Sequence, residues 1–154
     1  MNVALEPAKQ PEVQALIDQL DAYQWPLYPP ESHHGIDIDA LSQPNVLFAV
    51  ARDDAGKAIG CGAIVLDAEY GELKRVYTLP ECRGKGVAKA ILSLLEQSAG
   101  QRGCTRFVLE TGCRQPDAIT FYERSGYRRR GPFGSYMGDP NSVFMEKLVN
   151  AQPR

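Results

Sequence analysis

The residue types best suited to chemistry in this chain gather within residues 72–88. The stretch opens on Glu72-Leu73-Lys74-Arg75-Val76-Tyr77-Thr78 and passes Pro80 and Cys82. It ends in a glycine-bearing loop, Arg83-Gly84-Lys85-Gly86, followed by Val87 and Ala88. Residues 73–79 are rich in β-branched and aromatic types and read as a strand. Pro80 has no N–H to give to a ladder, so the strand stops there. Beyond the loop Ala88, Ile91, Leu92, Leu95 and Ala99 recur at helical spacing. A strand, a glycine loop and a helix in that order suit the binding of an anion. The first N–H groups of a helix have no partner within it, and the helix dipole favours negative charge at that end. Glycines remove the Cβ atoms that would hold a ligand away. Arg83 and Lys85 add positive charge, and a phosphate or diphosphate is the natural guest.

Two familiar phosphate loops can be tested against these residues. The nucleotide-triphosphate loop requires Ser or Thr after its Gly-Lys pair, and Val87 follows Gly86 here. The dinucleotide fingerprint requires a small residue where Lys89 stands. The pattern that is met is Arg/Gln-x-x-Gly-x-Gly/Ala, carried by Arg83, Gly86 and Ala88. A phosphotransferase reading is weakened further by the lack of a clear metal-binding carboxylate pair.

The elements that must position this loop can be read in order. Residues 2–5 suit a first strand. Val13, Leu16, Ile17 and Leu20 recur at helical spacing after Pro11. Residues 25–35 hold Trp25, Tyr28, Ser32 and both histidines, His33 and His34, among prolines that deny regular structure. Such loops often carry binding groups. Residues 36–41 suit a short helical turn. Strands are expected over 45–51, 57–66 and 73–79, joined by short turns, which implies an antiparallel meander. A further strand is expected over 106–111 and a helix after Pro116, with Gly126 just past its end. Strands from Tyr127 and over 142–148 complete the list, and residues 150–154 are expected to fray. The strands joined by the long helix should lie parallel.

Ala118-Ile119-Thr120-Phe121-Tyr122-Glu123-Arg124-Ser125-Gly126-Tyr127 is a second motif of the form A-x-x-F/L-Y-x-x-x-G-F/Y. With the loop and the element order, the chain resembles the GCN5-related N-acetyltransferase (GNAT) superfamily along nearly its whole length. Glu72-Leu73-Lys74-Arg75 and the segment 139–147 resemble a bacterial branch of small members. The resemblance implies an α/β (α+β) fold: a mixed central sheet of about six to seven strands, splayed between two parallel strands and flanked by helices. It implies one domain over residues 1–154. It also implies acetyl-CoA as cosubstrate and no metal. The amides of the pantetheine arm would pair near Val76, Tyr77 and Thr78. The diphosphate would rest on the N–H groups of Arg83, Gly84, Lys85, Gly86, Val87 and Ala88. Asp117 stands where the family often carries Asn, and it and Phe121 fall on the cofactor side.

The implied reaction is acetyl transfer to a primary amine of a small molecule or peptide by direct attack. An alkylamine has a pKa near ~10, so a base is needed at neutral pH. Glu72, at the head of the central strand, is the candidate base, directly or through a water; its alternative is an ion pair with Lys74. Tyr122 matches the family tyrosine that bonds the CoA sulfur and protonates the thiolate. Tyr28, Ser32, His33 and Tyr136 are candidates for the acceptor pocket. The run Arg128-Arg129-Arg130 suits either an anionic acceptor or a solvated strand edge. The rival reading is a CoA-binding sensor on the same fold.

Composition bounds these readings. A chain of 154 residues with a net charge of −2 lacks the basic excess of a nucleic-acid binder. No apolar run approaches the ~20 residues of a membrane span, and the first residues lack the pattern of a signal peptide, so a cytoplasmic protein is expected. The four cysteines, Cys61, Cys82, Cys104 and Cys113, include no metal-binding spacing and read as free thiols. Many members of the family are homodimers, though no long apolar stripe here demands one.

Overall fold

The structure is a computed structural model and describes residues 1–149. The expected fraying of residues 150–154 lies outside the described residues. In chain order the elements are β1 (Asn2–Leu5), α1 (Pro11–Gln24), α2 (Ile38–Leu41), β2 (Val46–Arg52), β3 (Ala58–Leu66), β4 (Gly71–Thr78), α3 (Val87–Gln101), β5 (Arg106–Gly112), α4 (Pro116–Arg124), β6 (Arg128–Arg130) and β7 (Ser142–Leu148). Short 3-10 turns at Trp25–Leu27, Pro30–Ser32 and Pro80–Cys82 break the proline-bearing connections.

The seven strands form one mixed sheet in the order β1-β2-β3-β4-β5-β7-β6. The first four make the expected antiparallel meander. The pair β4–β5 is parallel, and its register covers only Gly71–Phe107, Glu72–Val108 and Leu73–Leu109. Past Leu73 the two strands part. The expected splay is therefore present, and it begins at Lys74.

Packing explains why the sheet holds this shape. Helix α3 buries Val87, Ile91, Leu92, Leu95 and Ala99 against the meander. It sits close because Gly60 and Gly62 have no Cβ. A Cβ on Gly60 would fall 2.8 Å from Val87 Cγ1, and one on Gly62 2.9 Å from Ile91 Cγ2. Helix α1 adds Val13, Leu16, Ile17 and Leu20 to the same core. Phe107 and Leu109 of β5 join that core, whereas Val108 packs in a second cluster with Phe133 and Phe144. Alternate residues of a strand face opposite ways. The segment between β6 and β7 thus covers the other face of the sheet.

Strand β4 is bent just where it leaves β5. Cys61 pairs with Tyr77 but Ala63 with Lys74, so Arg75 and Val76 together oppose Gly62 in a bulge. Arg75 has φ of 56°, a left-handed conformation that is rare for a residue with a side chain. Its guanidinium is held on both sides: Nε donates to the Ile36 carbonyl at 3.0 Å and Nη1 pairs with Asp21. Gly35 makes room, since a Cβ there would lie 2.6 Å from Arg75 Cζ. One side chain therefore ties α1 and the histidine-bearing loop to the bend. Arg75→Ala is expected to cost about 1–3 kcal/mol, the penalty of unmade buried bonds. Urea unfolding checks this, and an unchanged midpoint would contradict the role.

Candidate functional site

Two cavities open from the splay. The larger, of about 880 Å³, runs along β4 and the start of α3 to α4. Val76, Tyr77, Thr78, Arg83, Gly84, Gly86, Val87, Ala88, Asp117, Phe121 and Tyr122 all line it. Lys85 is exposed and does not. Gly84 and Gly86 have φ of 78° and 81°, and nothing lies within 4 Å of a Cβ built on either. Gly86 caps α3 in the left-handed conformation, without a side-chain cap and with no acid in the first turn. The N–H groups there are open to an anion. Arg83 lies over the Tyr23 and Tyr77 rings, at 6.0 and 5.9 Å from their centroids. In the same wall Thr78 Oγ1 is buried without a hydrogen-bond partner among the described residues. An orphaned hydroxyl, an unpaired strand edge and an open glycine turn fit a ligand that brings amides at one end and a diphosphate at the other.

The smaller cavity, of about 380 Å³, lies on the other side of the splay. Tyr28, Ser32, His33 and Tyr136 all line it, and so does Glu72. The Tyr28 hydroxyl accepts from Arg114 N–H and donates to Gln115 Oε1, each at 3.1 Å. His33 stacks on Trp25 with centroids 4.5 Å apart, and its Nε2 lies 3.1 Å from the Tyr28 carbonyl. Ser32 Oγ accepts from Asn141 Nδ2 at 3.3 Å. Glu72 is engaged: the Tyr136 hydroxyl donates to its Oε2 at 2.6 Å, and Lys74 Nζ lies 3.2 Å from the same oxygen. Lys74 also donates to the Tyr136 oxygen and to the His34 carbonyl. Burial first, and then the bond to Glu72, pushes the Tyr136 phenol well above its usual range. The ion pair between Glu72 and Lys74, raised from the sequence as the alternative to a base, is therefore formed. The arginine run lines neither cavity: β6 is an edge strand, and Arg130 pairs with Glu146 at 3.0 Å.

The two cavities share five wall residues, Leu20, Val76, Gln115, Ala118 and Tyr122. Tyr122 is buried, and its ring packs on Phe121 and Tyr127 at 5.2 and 5.8 Å. Burial raises its phenol, which keeps it protonated at neutral pH. No hydrogen bond from its hydroxyl is formed within the described residues.

One acid escaped the sequence reading. Glu110, in the apolar run of β5, lines the smaller cavity and accepts from Ser142 Oγ at 2.7 Å. Its signal was a lone carboxylate in an otherwise apolar strand. Desolvation is the largest influence and raises its pKa, against the opposing pull of Ser142, His34 and Lys74. A carboxylate raised by folding favours the folded state in acid, and that contribution is lost as pH rises through its folded pKa. Glu110→Gln is thus expected to gain melting temperature over the parent near pH 7 and not below the ordinary carboxylate range. A gain equal at both pH values would exclude this linkage.

A cleft for an extended diphosphate ligand, facing a polar cavity across one tyrosine, is an arrangement for transfer between two substrates. The model of the acetyltransferase (GNAT) family matches residues 12–127, a span holding the loop, the splay and Tyr122. The chain belongs to that family. It is a GNAT acetyltransferase, with acetyl-CoA as the acyl donor. An IAA acetyltransferase of Azospirillum brasilense is 42% identical over 96% of this chain and 97% of its own. The uncharacterized N-acetyltransferase YsnE of Bacillus subtilis is 34% identical, over 97% of this chain and 100% of its own. A proposed acyl-CoA N-acyltransferase of Klebsiella pneumoniae has the same fold, with a TM-score of 0.83, 39% identity and 97% of each chain covered. Among the described residues no helix is long and apolar enough to cross a membrane, and no group of three or more His, Cys, Asp or Glu could hold a metal ion.

Proposed function

We propose that this GNAT acetyltransferase moves the acetyl group to a primary amine, of a small molecule or a peptide, held in the smaller cavity. The observation that carries the reading is the shared wall: Tyr122 and Val76 border both cavities. Residues 83–88 would hold the diphosphate of acetyl-CoA, and the free edge of β4 at Val76, Tyr77 and Thr78 would pair with its amides. Val76 N–H would polarise the thioester carbonyl. Asp117 and Phe121 would flank the arm. Tyr122, held protonated by burial, would give its proton to the departing thiolate. A carboxylate of the smaller cavity takes the proton of the amine, and Glu72 is the one marked by the sequence. Residues 1–154 would act as one domain, and free thiols at all four cysteines suit the cytosol.

The test is thiol release from acetyl-CoA across amino acids, polyamines, aminoglycosides, N-terminal peptides, benzylamine and aniline. IAA joins the panel because the Azospirillum relative is named for it. Turnover of at least one amine is expected. Calorimetric binding of acetyl-CoA with no amine turned over would favour a sensor. Gly86→Val tests the donor side. A side chain at φ of 81° is strained by about 1–2 kcal/mol, so the Kd of acetyl-CoA should rise about tenfold. An unchanged Kd would place the diphosphate elsewhere.

A further inference from the structure

Three carboxylates line the smaller cavity: Asp21 of α1 is paired with Arg75, and strand register separates the other two, Glu72 and Glu110. Glu72 pairs level with Val108, and side chains alternate along each strand, so Glu72, Lys74, Val108 and Glu110 share one face. Both strands run toward the splay. Glu110 stands two residues beyond Val108 in that direction, about 7 Å of strand rise. It is therefore the carboxylate nearer to Val76, Ala118 and Tyr122, where the cavities meet. Glu72 stays behind, beside the part of the sheet that is still paired.

Their partners differ as well. Glu72 carries two partners on Oε2, the Tyr136 hydroxyl and the Lys74 ammonium, and a neighbouring ammonium favours the charged form of a carboxylate. Glu110 has a single hydrogen-bond donor among the described residues, Ser142 Oγ, and that donor occupies only Oε2. We propose that Glu110, rather than Glu72, takes the proton from the acceptor's ammonium group, while Glu72 positions Lys74 and Tyr136 in the wall. The proposal rests on the acetyltransferase reading above. The charged and titratable groups facing Glu110 are Lys74 and Glu72 from β4, Tyr28 and His34 from the loop after α1, and Tyr136 and Asp139 from the segment before β7. Burial raises the Glu110 carboxyl, against the opposing pull of Ser142, His34 and Lys74.

The proton balance closes within the cavity. The ammonium gives one proton to Glu110 and becomes an amine. The nitrogen lone pair forms the C–N bond to the thioester carbonyl carbon. The C–S bond then breaks and its electron pair leaves on sulfur, which takes the Tyr122 proton. The second proton of the attacking nitrogen restores the phenol, and Glu110 releases its own to water. The net products are the amide, the thiol of coenzyme A and one proton.

The experiment compares Glu110→Gln, Glu72→Gln and Ser142→Ala with the parent enzyme. It uses the alkylamines of the panel that turn over, with aniline as an acceptor already neutral at pH 7. Glu110→Gln should lower kcat/KM for the alkylamine by about 10²–10⁴-fold, with acetyl-CoA affinity unchanged and aniline spared. The acid limb of the pH–rate profile should vanish in Glu110→Gln and persist in Glu72→Gln. It should move to higher pH in Ser142→Ala, which loses the donor that favours the charged carboxylate. Alkylamine turnover by Glu110→Gln at close to the parent rate would overturn the proposal. So would an acid limb lost in Glu72→Gln alone, or equal losses with alkylamine and aniline. If Glu110→Gln fails to fold, Ser142→Ala decides: an unmoved limb overturns the proposal. A parent enzyme that binds no acetyl-CoA or acetylates no amine defeats the underlying reading first, which is a separate result.

Discussion

Tyr122→Phe is expected to lower kcat for thiol release by about 10²–10⁴-fold, the usual worth of a placed general acid, with acetyl-CoA still bound. The substitution removes one oxygen and leaves the packing in place, because the ring is held edge-on by Phe121 and Tyr127. Melting temperature should barely move, since the lost hydroxyl has no bond to break within the described residues. Burial keeps the phenol protonated, so the parent rate should show no loss from Tyr122 ionisation across neutral pH. A variant with parent kcat would mean that the thiolate finds its proton elsewhere and that Tyr122 is only a wall.

Gly112→Ala is the second large effect. A Cβ at that position would fall 1.8 Å from the Tyr28 hydroxyl and 2.0 Å from Tyr28 Cζ. A tyrosine ring cannot yield by that much without swinging away. The swing breaks its bonds to Arg114 N–H and Gln115, and with them the clasp between the proline-rich loop and the end of β5. Misplacing a substrate wall by about an ångström costs roughly 10²-fold in rate. We therefore expect kcat/KM for the amine to fall by about that factor, with acetyl-CoA affinity nearly unchanged. Tyr28→Ala in the Gly112→Ala background should then cost little more, because the contact is already lost. Additive losses would show that Tyr28 acts independently of Gly112.

Local patterns carried the fold and one half of the site. The helical stripe from Ala88 to Ala99 and the glycine loop after Pro80 are short-range signals, and the structure forms the helix and the open turn that they predict. The smaller cavity depends on residues far apart in sequence. Tyr28 reaches Gln115, Lys74 reaches Tyr136, and Ser32 meets Asn141. No periodicity encodes such meetings, although an aromatic, histidine-bearing loop marked one wall. Glu110 was hidden because its strand reads as apolar, and a single acid there looks like an edge position. The burial of Arg75 at positive φ was equally silent, since only the bulge against Gly62 creates it.

Over β4 and β5 the smaller cavity is walled by the loop between α1 and α2 and by Tyr136 and Asn141 of the segment before β7, and neither segment supplies the glycine turn that caps α3. On the proposed reading, donor grip and acceptor choice would reside on separate pieces of chain, tied together through Arg75 and Gln115. New amine preferences should be attainable by re-sorting residues 25–36 and 131–141 alone, without retuning the machinery that holds coenzyme A.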